Sequence, residues 1–314
     1  MPLPAVNKFL FEPETHLNDN TTSIKTTSIK SLPLLLQGKV RDVYAVGDDH
    51  LLMIATDRLS AFDVVLPEPL PGKGKILTQL ALFWFEQMAD LIPNHLATEL
   101  SLAEVLPDPG EYAQAKDRSM LVKRLKPLPV EAVVRGYLIG SGWKDYQQSG
   151  SVCDVKLPAN MQLAEQIDPP IFTPATKAEV GDHDINISAA AMADIIGTEH
   201  ANAIESVSKA IYQRASAYCT KRGIILADTK FEFGLDANQQ LTLMDEILTP
   251  DSSRFWNASS YNAGQSPESY DKQFVRDYLE TLDWNKAPPG PSLPDEIKRK
   301  TMQRYEEALS NLTN

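Results

Sequence analysis

An acidic segment at residues 223–256 constrains the fold of this chain more than any other feature. An apolar run at 224–227 leads into a stretch where charged residues occupy every second position, namely Asp228, Lys230 and Glu232. Residues two apart on a β-strand share one face of the sheet. The pattern therefore predicts a strand that carries two carboxylates and an ammonium group on the same face.

The second half of this segment predicts a paired strand that ends in more acid. A polar turn at 236–240 precedes an apolar run that finishes at Asp245 and Glu246. A turn centred near the middle of 236–240 pairs Glu232 with Asp245, and a one-residue slip substitutes Glu246. Two carboxylates directly opposite each other require a cation, and Mg²⁺ prefers oxygen ligands and accompanies phosphates. The hairpin predicts the metal end of a nucleotide site, with merely solvated acids as the alternative.

Composition excludes several classes of protein. The chain has 314 residues, 43% of them hydrophobic, and a net charge of −12, which argues against nonspecific binding to nucleic acid or to anionic membranes. Its two cysteines, Cys153 and Cys219, lie far apart and form no CxxC motif, so neither a disulfide framework nor a thiolate zinc site is expected. We see neither a long apolar span nor a signal peptide, and we expect a cytoplasmic protein.

The order of the expected elements indicates an α+β fold rather than regular βα alternation. Residues 1–33 form a polar extension with a short repeat, TTSIKTTSIK, and ordered structure is expected from about Leu34. Strand patterns cover 40–46, 51–56, 120–125 and 130–137, and helical spacing covers 76–92, 201–222, 270–282 and 294–312. Neither GxGxxG nor GxxxxGK[ST] is present, so Rossmann and P-loop sites are not indicated.

A glycine-entered hairpin at the first strand suggests a phosphate-binding loop. Gly38, Lys39, Val40 and Arg41 follow one another there. Glycine permits close approach of the backbone to a ligand, and such a hairpin can cover ATP phosphates as the glycine-rich loop of kinases does. A solvated edge strand gives a similar pattern.

Two neighbouring strands carry further candidates for anion binding. Lys123 and Glu131 lie on either side of a Lys-Pro-Leu-Pro connection, in an arrangement typical of a clamp around a purine ring. Arg135 and Ser141 follow, and arginine binds phosphate oxygens through two parallel hydrogen bonds. They predict a second anion pocket, which Arg254 after the acidic hairpin could complete.

Two loops hold the remaining candidates. One is DRLSAFD at 57–63, for which turn-capping acids are the alternative. The other is the polar stretch 173–188, which includes Lys177, His183 and Asp184. No HxxxH or HxE pattern supports zinc, and His183 is interpreted as a local hydrogen-bonding residue.

These motifs, taken together and in order, resemble one enzyme family. They are GKVRDVY, DRLSAFD, VEAVVRGYLIGSGW, TKAEVGDHD, DTKFEFG and DEILTPDSSRFW. The chain is similar over about Leu34 to Pro294 to the SAICAR synthetases (phosphoribosylaminoimidazole-succinocarboxamide synthases) of the longer, single-chain type. The stretch before residue 31 matches nothing in that family, and the TKAEVGDHD loop matches approximately.

The resemblance implies an ATP-dependent ligase of purine biosynthesis. Members join L-aspartate to the carboxylate of 5-aminoimidazole-4-carboxyribonucleotide through an acyl phosphate, with ATP and Mg²⁺. The implied fold is similar to ATP-grasp enzymes, with ATP between a smaller lobe at 34–127 and a larger lobe at 128–314 that carries the C-terminal helices. Implied partners are the two small-molecule substrates, without nucleic acid or membrane, in a monomer or small homo-oligomer.

The resemblance also assigns residues to roles. Asp228 and Lys230 are expected to be catalytic, with Asp228 receiving the amine proton, and Glu232 and Asp245 to bind Mg²⁺. ATP contacts are expected from Gly38, Lys39, Val40, Arg41, Lys123 and Glu131. Substrate contacts are expected from Asp57, Ser60, Asp63, Arg135, Ser141, Lys177, Asp184 and Arg254.

Two other functions use similar residues. A small-molecule or lipid kinase would share the lobes and the metal acids, although the HRD, DFG and APE set of protein kinases is missing. A noncatalytic nucleotide sensor would need neither both metal acids nor a second anion pocket.

Overall fold

The computed structural model describes residues 23–177 and 185–314. Its strands are β1 (Leu34–Gln37), β2 (Arg41–Val46), β3 (His50–Ala55), β4 (Ser60–Ala61), β5 (Val64–Val65), β6 (Ser119–Lys123), β7 (Lys126–Tyr137), β8 (Ser151–Val152), β9 (Val155–Lys156), β10 (Gln166–Phe172), β11 (Ala175–Thr176), β12 (Ile224–Leu235), β13 (Leu241–Met244) and β14 (Ser253–Asn257). Its helices are α1 (Lys73–Met88), α2 (Leu102–Val105), α3 (Pro109–Ala115), α4 (Gly140–Ser149), α5 (Ala189–Ile196), α6 (Thr198–Thr220), α7 (Gln273–Glu280) and α8 (Asp295–Thr313), and a 3₁₀ turn covers Ala258–Ser260. The mixture confirms the predicted α+β class.

The first sheet is antiparallel, in the order β1-β2-β3-β6. Its central hairpin turns at Gly47, whose φ of 60° lies in the left-handed region that glycine adopts without steric cost. Tyr44, Leu52 and Ile54 alternate with more exposed neighbours and are almost completely buried. One face of this sheet therefore forms a core of its own, and the other turns towards α1.

The N-terminal segment contributes to that core, which corrects the expectation that order begins near Leu34. Thr27, in the second copy of the repeat, donates from Oγ1 to Asp42 Oδ2 at 2.7 Å. Ile29 is only 6% exposed and packs in the same cluster as Tyr44. Because Ile29 is buried in this hydrophobic cluster, the second copy of the repeat packs against the sheet.

The second sheet has the order β10-β7-β12-β13, and β11 and β14 also pair with β7 and β12. Its two central strands, β7 and β12, have 12 residues each. The Lys-Pro-Leu-Pro stretch expected as a connection is the start of β7, where Lys126 pairs with Leu235 and Pro127 with Gly234. The register shifts between Glu232 and Gly234, and proline is tolerated in sheets at such irregularities.

A short segment at 93–97 joins the two sheets. It exchanges backbone hydrogen bonds with Leu243 of β13 on one side and with Leu121 and Lys123 of β6 on the other. An exposed strand edge is an aggregation risk, and this segment covers one edge of each sheet. The two sheets thus form one hydrogen-bonded surface, and the predicted lobe boundary at 127/128 falls inside β7. The division into lobes stays a prediction.

Helices cover this surface and complete a continuous core. Ile204, Ile211 and Ala215 of α6 follow helical spacing, are completely buried, and face β12 and β7. The last helix, α8, packs against α1 and buries Tyr305 completely. In the described parts of the chain, no helix has the length and apolar character needed to cross a membrane.

Candidate active site

The face of β12 that points away from the core carries the charged residues predicted from the sequence. Phe231 and Phe233 are 0% and 1% exposed and belong to the central hydrophobic cluster. Lys230 and Glu232 alternate with them and stay partly exposed. The period-two pattern thus separates the core side chains from the candidate catalytic side chains along a single strand.

The predicted register of the acidic hairpin is wrong by one residue. Glu232 pairs with Met244 rather than with Asp245, because Asp236 accepts backbone hydrogen bonds from Asn238 and Gln240 and sets a three-residue loop. Asp245 follows the end of β13 with a left-handed φ of 66°. The residue directly opposite Glu232, on β7, is another acid, Glu131.

Glu232 and Asp245 nevertheless interact electrostatically. Burial, and then the charge of Asp245, raise the pKa of Glu232. Burial also opposes ionisation of Asp245, but the charge and hydrogen bond of Arg41 outweigh it and lower the pKa of Asp245. Two neighbouring buried carboxylates of this kind favour an added cation.

Each of these acids is paired with a basic side chain. Lys230 Nζ lies 2.5 Å from Glu131 Oε1, and Lys177 pairs with Glu232. Arg41 of β2 donates to Asp245 and, at 2.9 Å, to Glu246. Over residues 23–177 and 185–314, no group of three or more His, Cys, Asp or Glu side chains could hold a metal ion by itself.

The donor set at Glu232 and Asp245 fits Mg²⁺ bound together with phosphate. Carboxylate oxygens are its preferred protein ligands, and it commonly uses one or two of them plus phosphate oxygens and water. Burial and the charge of Asp245 raise the pKa of Glu232. A bound cation would stabilise the ionised form of this carboxyl group. Lys177 and Arg41 supply that positive charge in the structure.

The glycine-entered loop is held in place by a buried arginine. Arg58 donates to the carbonyls of Gly38 at 2.9 Å and Lys39 at 3.1 Å, and it pairs with Asp42. Val40 bonds through its carbonyl to Thr56. The loop therefore presents a fixed backbone next to the acids that Arg41 contacts.

The DRLSAFD loop at 57–63, which was expected to contact substrate, has a buried acid at its start and an exposed acid at its end. Asp57 is 0% exposed and its carboxylate accepts from Arg118 at 2.9 Å and from two backbone N–H groups. Its role as a substrate contact stays a prediction. Ser60 lies half-buried in β4. Asp63 is exposed and lies 2.5 Å from Lys39 Nζ, so this loop and the glycine-entered loop meet.

Lys123 and Glu131 lie on opposite sides of the short link between β6 of the first sheet and β7 of the second. Lys123 ends β6 with an exposed side chain and interacts electrostatically with Glu99. Glu131 lies inside β7, is 4% exposed, and pairs with Lys230. The structure thus places them at the junction of the sheets without a direct contact between them. Asp184 lies outside the described residues.

The residues predicted to form an anion pocket, Arg135, Ser141 and Arg254, lie together around Asp228. Arg135 donates to Asp228 at 3.3 Å, to Ser141 at 3.0 Å and to Thr173 at 2.9 Å. Arg254 donates to the same Oδ2 atom of Asp228, and its own Nε is buried without a partner. Burial lowers the pKa of Arg135, and Asp228 opposes this shift.

The start of α4 leaves space for these arginines because it carries glycines. A β-carbon at Gly140 would lie 2.5 Å from Arg254 Nη2, and one at Gly142 would lie 3.1 Å from Arg135 Cδ. An open cleft of about 570 Å³ adjoins Ser141. Its other walls include Asp145, Gln148, Ser151, Asp154, Asn186 and Ser188.

Several residues of this region escaped the sequence analysis. Thr173 orients Arg135, and Asp251 lies between Lys73 and Lys272 in the loop that follows the acidic hairpin. These contacts join residues distant in sequence, so no local pattern signals them. The only sequence signal for a role of Asp251 is that it lies in the same motif as Arg254.

Comparison with known proteins identifies the family of this chain. The sequence model of the family described as SAICAR synthetase matches residues 34–291. Phosphoribosylaminoimidazole-succinocarboxamide synthase of Thioalkalivibrio sulfidiphilus is 59% identical over 285 residues, covering 91% of this chain and 96% of that protein. The enzyme of the same name from Polaromonas naphthalenivorans is 56% identical over 306 residues, covering 95% and 100%.

Solved structures give the same result. The SAICAR synthase of Saccharomyces cerevisiae complexed with SAICAR has a TM-score of 0.84 at 41% identity, covering 93% of this chain and 98% of that one. A type-2 SAICAR synthetase in complex with ADP has a TM-score of 0.66 at 25% identity, covering 88% and 97%. The chain belongs to the SAICAR synthetase family.

Proposed function

We propose that the exposed face of β12 is the reaction surface of a ligase, with metal carboxylates at one end and a ribonucleotide phosphate pocket at the other. As a SAICAR synthetase, the chain uses ATP to join L-aspartate to the carboxylate of 5-aminoimidazole-4-carboxyribonucleotide. The observation that carries the proposal is the order of Glu232, Lys230 and Asp228 along one strand face, with Arg135 and Arg254 at the Asp228 end.

ATP is assigned to the junction between the two sheets. The backbone of Gly38 and Lys39, held by Arg58, and that of Val40, held by Thr56, cover the phosphates. Arg41 neutralises them. Lys123 and Glu131, on either side of the connection between the sheets, are assigned to the rest of the nucleotide. Phosphoryl transfer depends mainly on positioning and charge neutralisation, which matches this inventory of basic groups and backbone.

Glu232 and Asp245 would hold Mg²⁺ beside those phosphates. The ion neutralises charge on the transferred phosphoryl group when it is bound. Lys177 and Arg41 pair with these two carboxylates in the structure and would be available to the anionic substrates if the ion replaced them there.

The anion pocket at the other end binds the phosphate of the ribonucleotide. Arg135, Ser141 and Arg254 are its donors, and the unpartnered Nε of Arg254 is available to an incoming anion. The substrate carboxylate then extends towards Lys230 and Lys177. One carboxylate oxygen attacks the γ-phosphorus and ADP departs. The neutral aspartate nitrogen next attacks the acyl carbon, and the leaving phosphate takes up the proton that the nitrogen gives up.

Asp228 is better assigned to orienting the arginines than to receiving that proton. One of its oxygens accepts from both Arg135 and Arg254, and the residue is 4% exposed. The carboxylate thus serves as the common acceptor of two charge-assisted hydrogen bonds, which fix the directions of both guanidinium groups. Lys230, whose side chain is 37% exposed and pairs with Glu131, lies between Asp228 and Glu232 on the same strand face, where its ammonium group would contact the reacting carboxylate.

The kinase alternative is not favoured by the family to which the chain belongs. A kinase also has no use for the pocket around Arg135 and Arg254. We propose a cytoplasmic location, in line with the small, anionic, intracellular nature of the substrates.

Omission of single substrates tests the function. ADP release is measured with ATP, Mg²⁺, the ribonucleotide and L-aspartate, and then with each acceptor left out. We expect steady turnover only when both acceptors are present. Steady ADP formation with an added hydroxyl compound, or with neither acceptor, would contradict the ligase.

A further inference from the structure

A buried polar cluster lies behind the proposed metal site and takes no part in the chemistry described above. Asp251, in the loop after β13, accepts from Lys73 at 2.8 Å and from Lys272 at 3.1 Å through one oxygen. Its other oxygen accepts from the hydroxyl of Tyr305 at 3.0 Å. The three donors come from α1, from the residue before α7, and from α8.

The cluster is removed from water. The side chains of Lys73 and Asp251 are 0% and 3% exposed, and Tyr305 is 0% exposed. Buried charges are retained only when they are paired and hydrogen-bonded. The two ammonium groups lower the pKa of Asp251 in spite of its burial. This carboxylate is therefore a fixed point between three elements.

A short chain of hydrogen bonds connects this fixed point to the metal carboxylates. The N–H of Asp251 donates to Thr249 Oγ1 at 3.2 Å, and that hydroxyl donates to Glu246 at 2.5 Å. Arg41 donates to Glu246 at 2.9 Å and also to Asp245. A displacement of Asp251 would reach Asp245 through these contacts.

The backbone of the same loop needs support from outside. Asp245 and Leu248 have φ values of 66° and 52°, in a region that residues with a β-carbon adopt at a cost. Such conformations persist only where the surroundings hold them, and they are enriched at ligand sites. The Asp251 contacts anchor the end of this loop to α1, to α8 and to the residue before α7.

We propose that Asp251 is a positioning residue for the Mg²⁺ carboxylates and that Tyr305 of α8 acts through it. The inference rests on the proposed metal role of Glu232 and Asp245. It makes the C-terminal helix part of the metal site, although α8 itself supplies no ligand. Residues that orient metal ligands typically alter metal affinity when they are changed.

Metal affinity rather than turnover is the test. Mn²⁺ replaces Mg²⁺ as the probe, and its binding in the presence of ADP is followed by electron paramagnetic resonance of the free ion. Tyr305→Phe removes one hydroxyl and should weaken Mn²⁺ binding by about three- to tenfold, towards the lower end of effects of this type. Tyr218→Phe is the matched control. The Tyr218 hydroxyl also makes a hydrogen bond to α8, because it donates at 2.8 Å to the carbonyl of Leu312 near the C-terminal end of that helix.

Unchanged Mn²⁺ affinity in folded Tyr305→Phe, or an equal loss in Tyr218→Phe, would overturn the inference. Thr249 provides a second test within the chain of contacts. Thr249→Val should weaken Mn²⁺ binding and Thr249→Ser should preserve it; equal affinities for both would also overturn it. Glu232→Gln separates the two proposals, because retained Mn²⁺ binding there refutes the metal site itself, whereas failure of the Tyr305 and Thr249 variants refutes only the role of Asp251.

Discussion

A β-carbon placed on Gly140 would lie 2.5 Å from Nη2 of Arg254. The first residue of α4 and the arginine of β14 are thus in direct contact at the proposed ribonucleotide pocket. The contact is possible because glycine also adopts the φ of 61° found there.

Gly140→Ala should displace Arg254 and impair the ribonucleotide pocket selectively. We expect the KM for the ribonucleotide to rise by about tenfold or more, as for loss of a charge-assisted contact, while the KM for ATP changes little. Steady-state kinetics with each substrate varied in turn measures the effect. Gly150→Ala is the control, because its φ of 70° carries the same backbone cost and nothing lies within 4 Å of the added carbon. Equal kinetic effects in both variants would refute the proposed contact role.

Asp228→Asn tests whether this carboxylate orients arginines or accepts a proton. Loss of its charge removes the carboxylate that orients both Arg135 and Arg254, so we expect weaker ribonucleotide binding, by about one order of magnitude. The pH dependence of kcat should keep its shape. Disappearance of an ascending limb from the kcat–pH profile, with KM unchanged, would restore the role of proton acceptor.

Glu232→Gln tests the metal assignment. Removing one of two carboxylate ligands should lower turnover by about a thousandfold or more and abolish Mn²⁺ binding. The folded state should survive, because the partner Lys177 is 40% exposed and can be solvated. Glu205→Gln breaks a similar Lys–Glu pair on α6 and should leave kcat unaltered. Full activity of Glu232→Gln at ordinary Mg²⁺ concentrations would exclude Glu232 as a ligand.

The burial of His95 should make the folded protein less stable in acid. Its side chain is 1% exposed, and burial lowers its pKa from 6.5 to about 4. Because the folded-state pKa lies below the unfolded-state pKa, the stability it contributes is complete above pH 6.5 and disappears as the pH falls towards 4. The loss across this window is about 3 kcal/mol.

Urea unfolding at pH 7.5 and pH 5 measures this loss. We expect the free energy of unfolding to fall more between these two values in the unmodified protein than in His95→Gln. His200→Gln, which removes a histidine from α6, is the control. An identical pH dependence with and without His95 would contradict the assignment.

The sequence predicted the chemistry of this site better than its geometry. Alternation along β12 was sufficient to place Lys230 and Glu232 on one face, because side-chain direction in a strand depends only on local backbone structure. The pairing of Glu232 was missed because a single side chain, Asp236, determines the loop and hence the register. A shift of one residue changes which faces pair, but β13 has no regular alternation of buried and exposed residues that would have shown it.

The sequence also did not indicate which acidic residues of the predicted site are buried. Asp57 and Asp63 lie in one short motif, yet Asp57 is fully buried against Arg118 and Asp63 is exposed beside Lys39. Nothing within the motif distinguishes them, since the difference arises from contacts with distant residues such as Arg118, 61 residues away. The same holds for Asp251, whose partners come from both ends of the chain.

The central claim is that β12 binds metal at one end and the ribonucleotide phosphate at the other. A crystal grown with Mn²⁺, a nonhydrolysable ATP analogue and the ribonucleotide tests it directly through the anomalous scattering of manganese. We predict an anomalous peak between Glu232 and Asp245, and phosphate density between Arg135 and Arg254. A manganese peak away from both carboxylates, or a ribonucleotide phosphate bound elsewhere, would contradict the account.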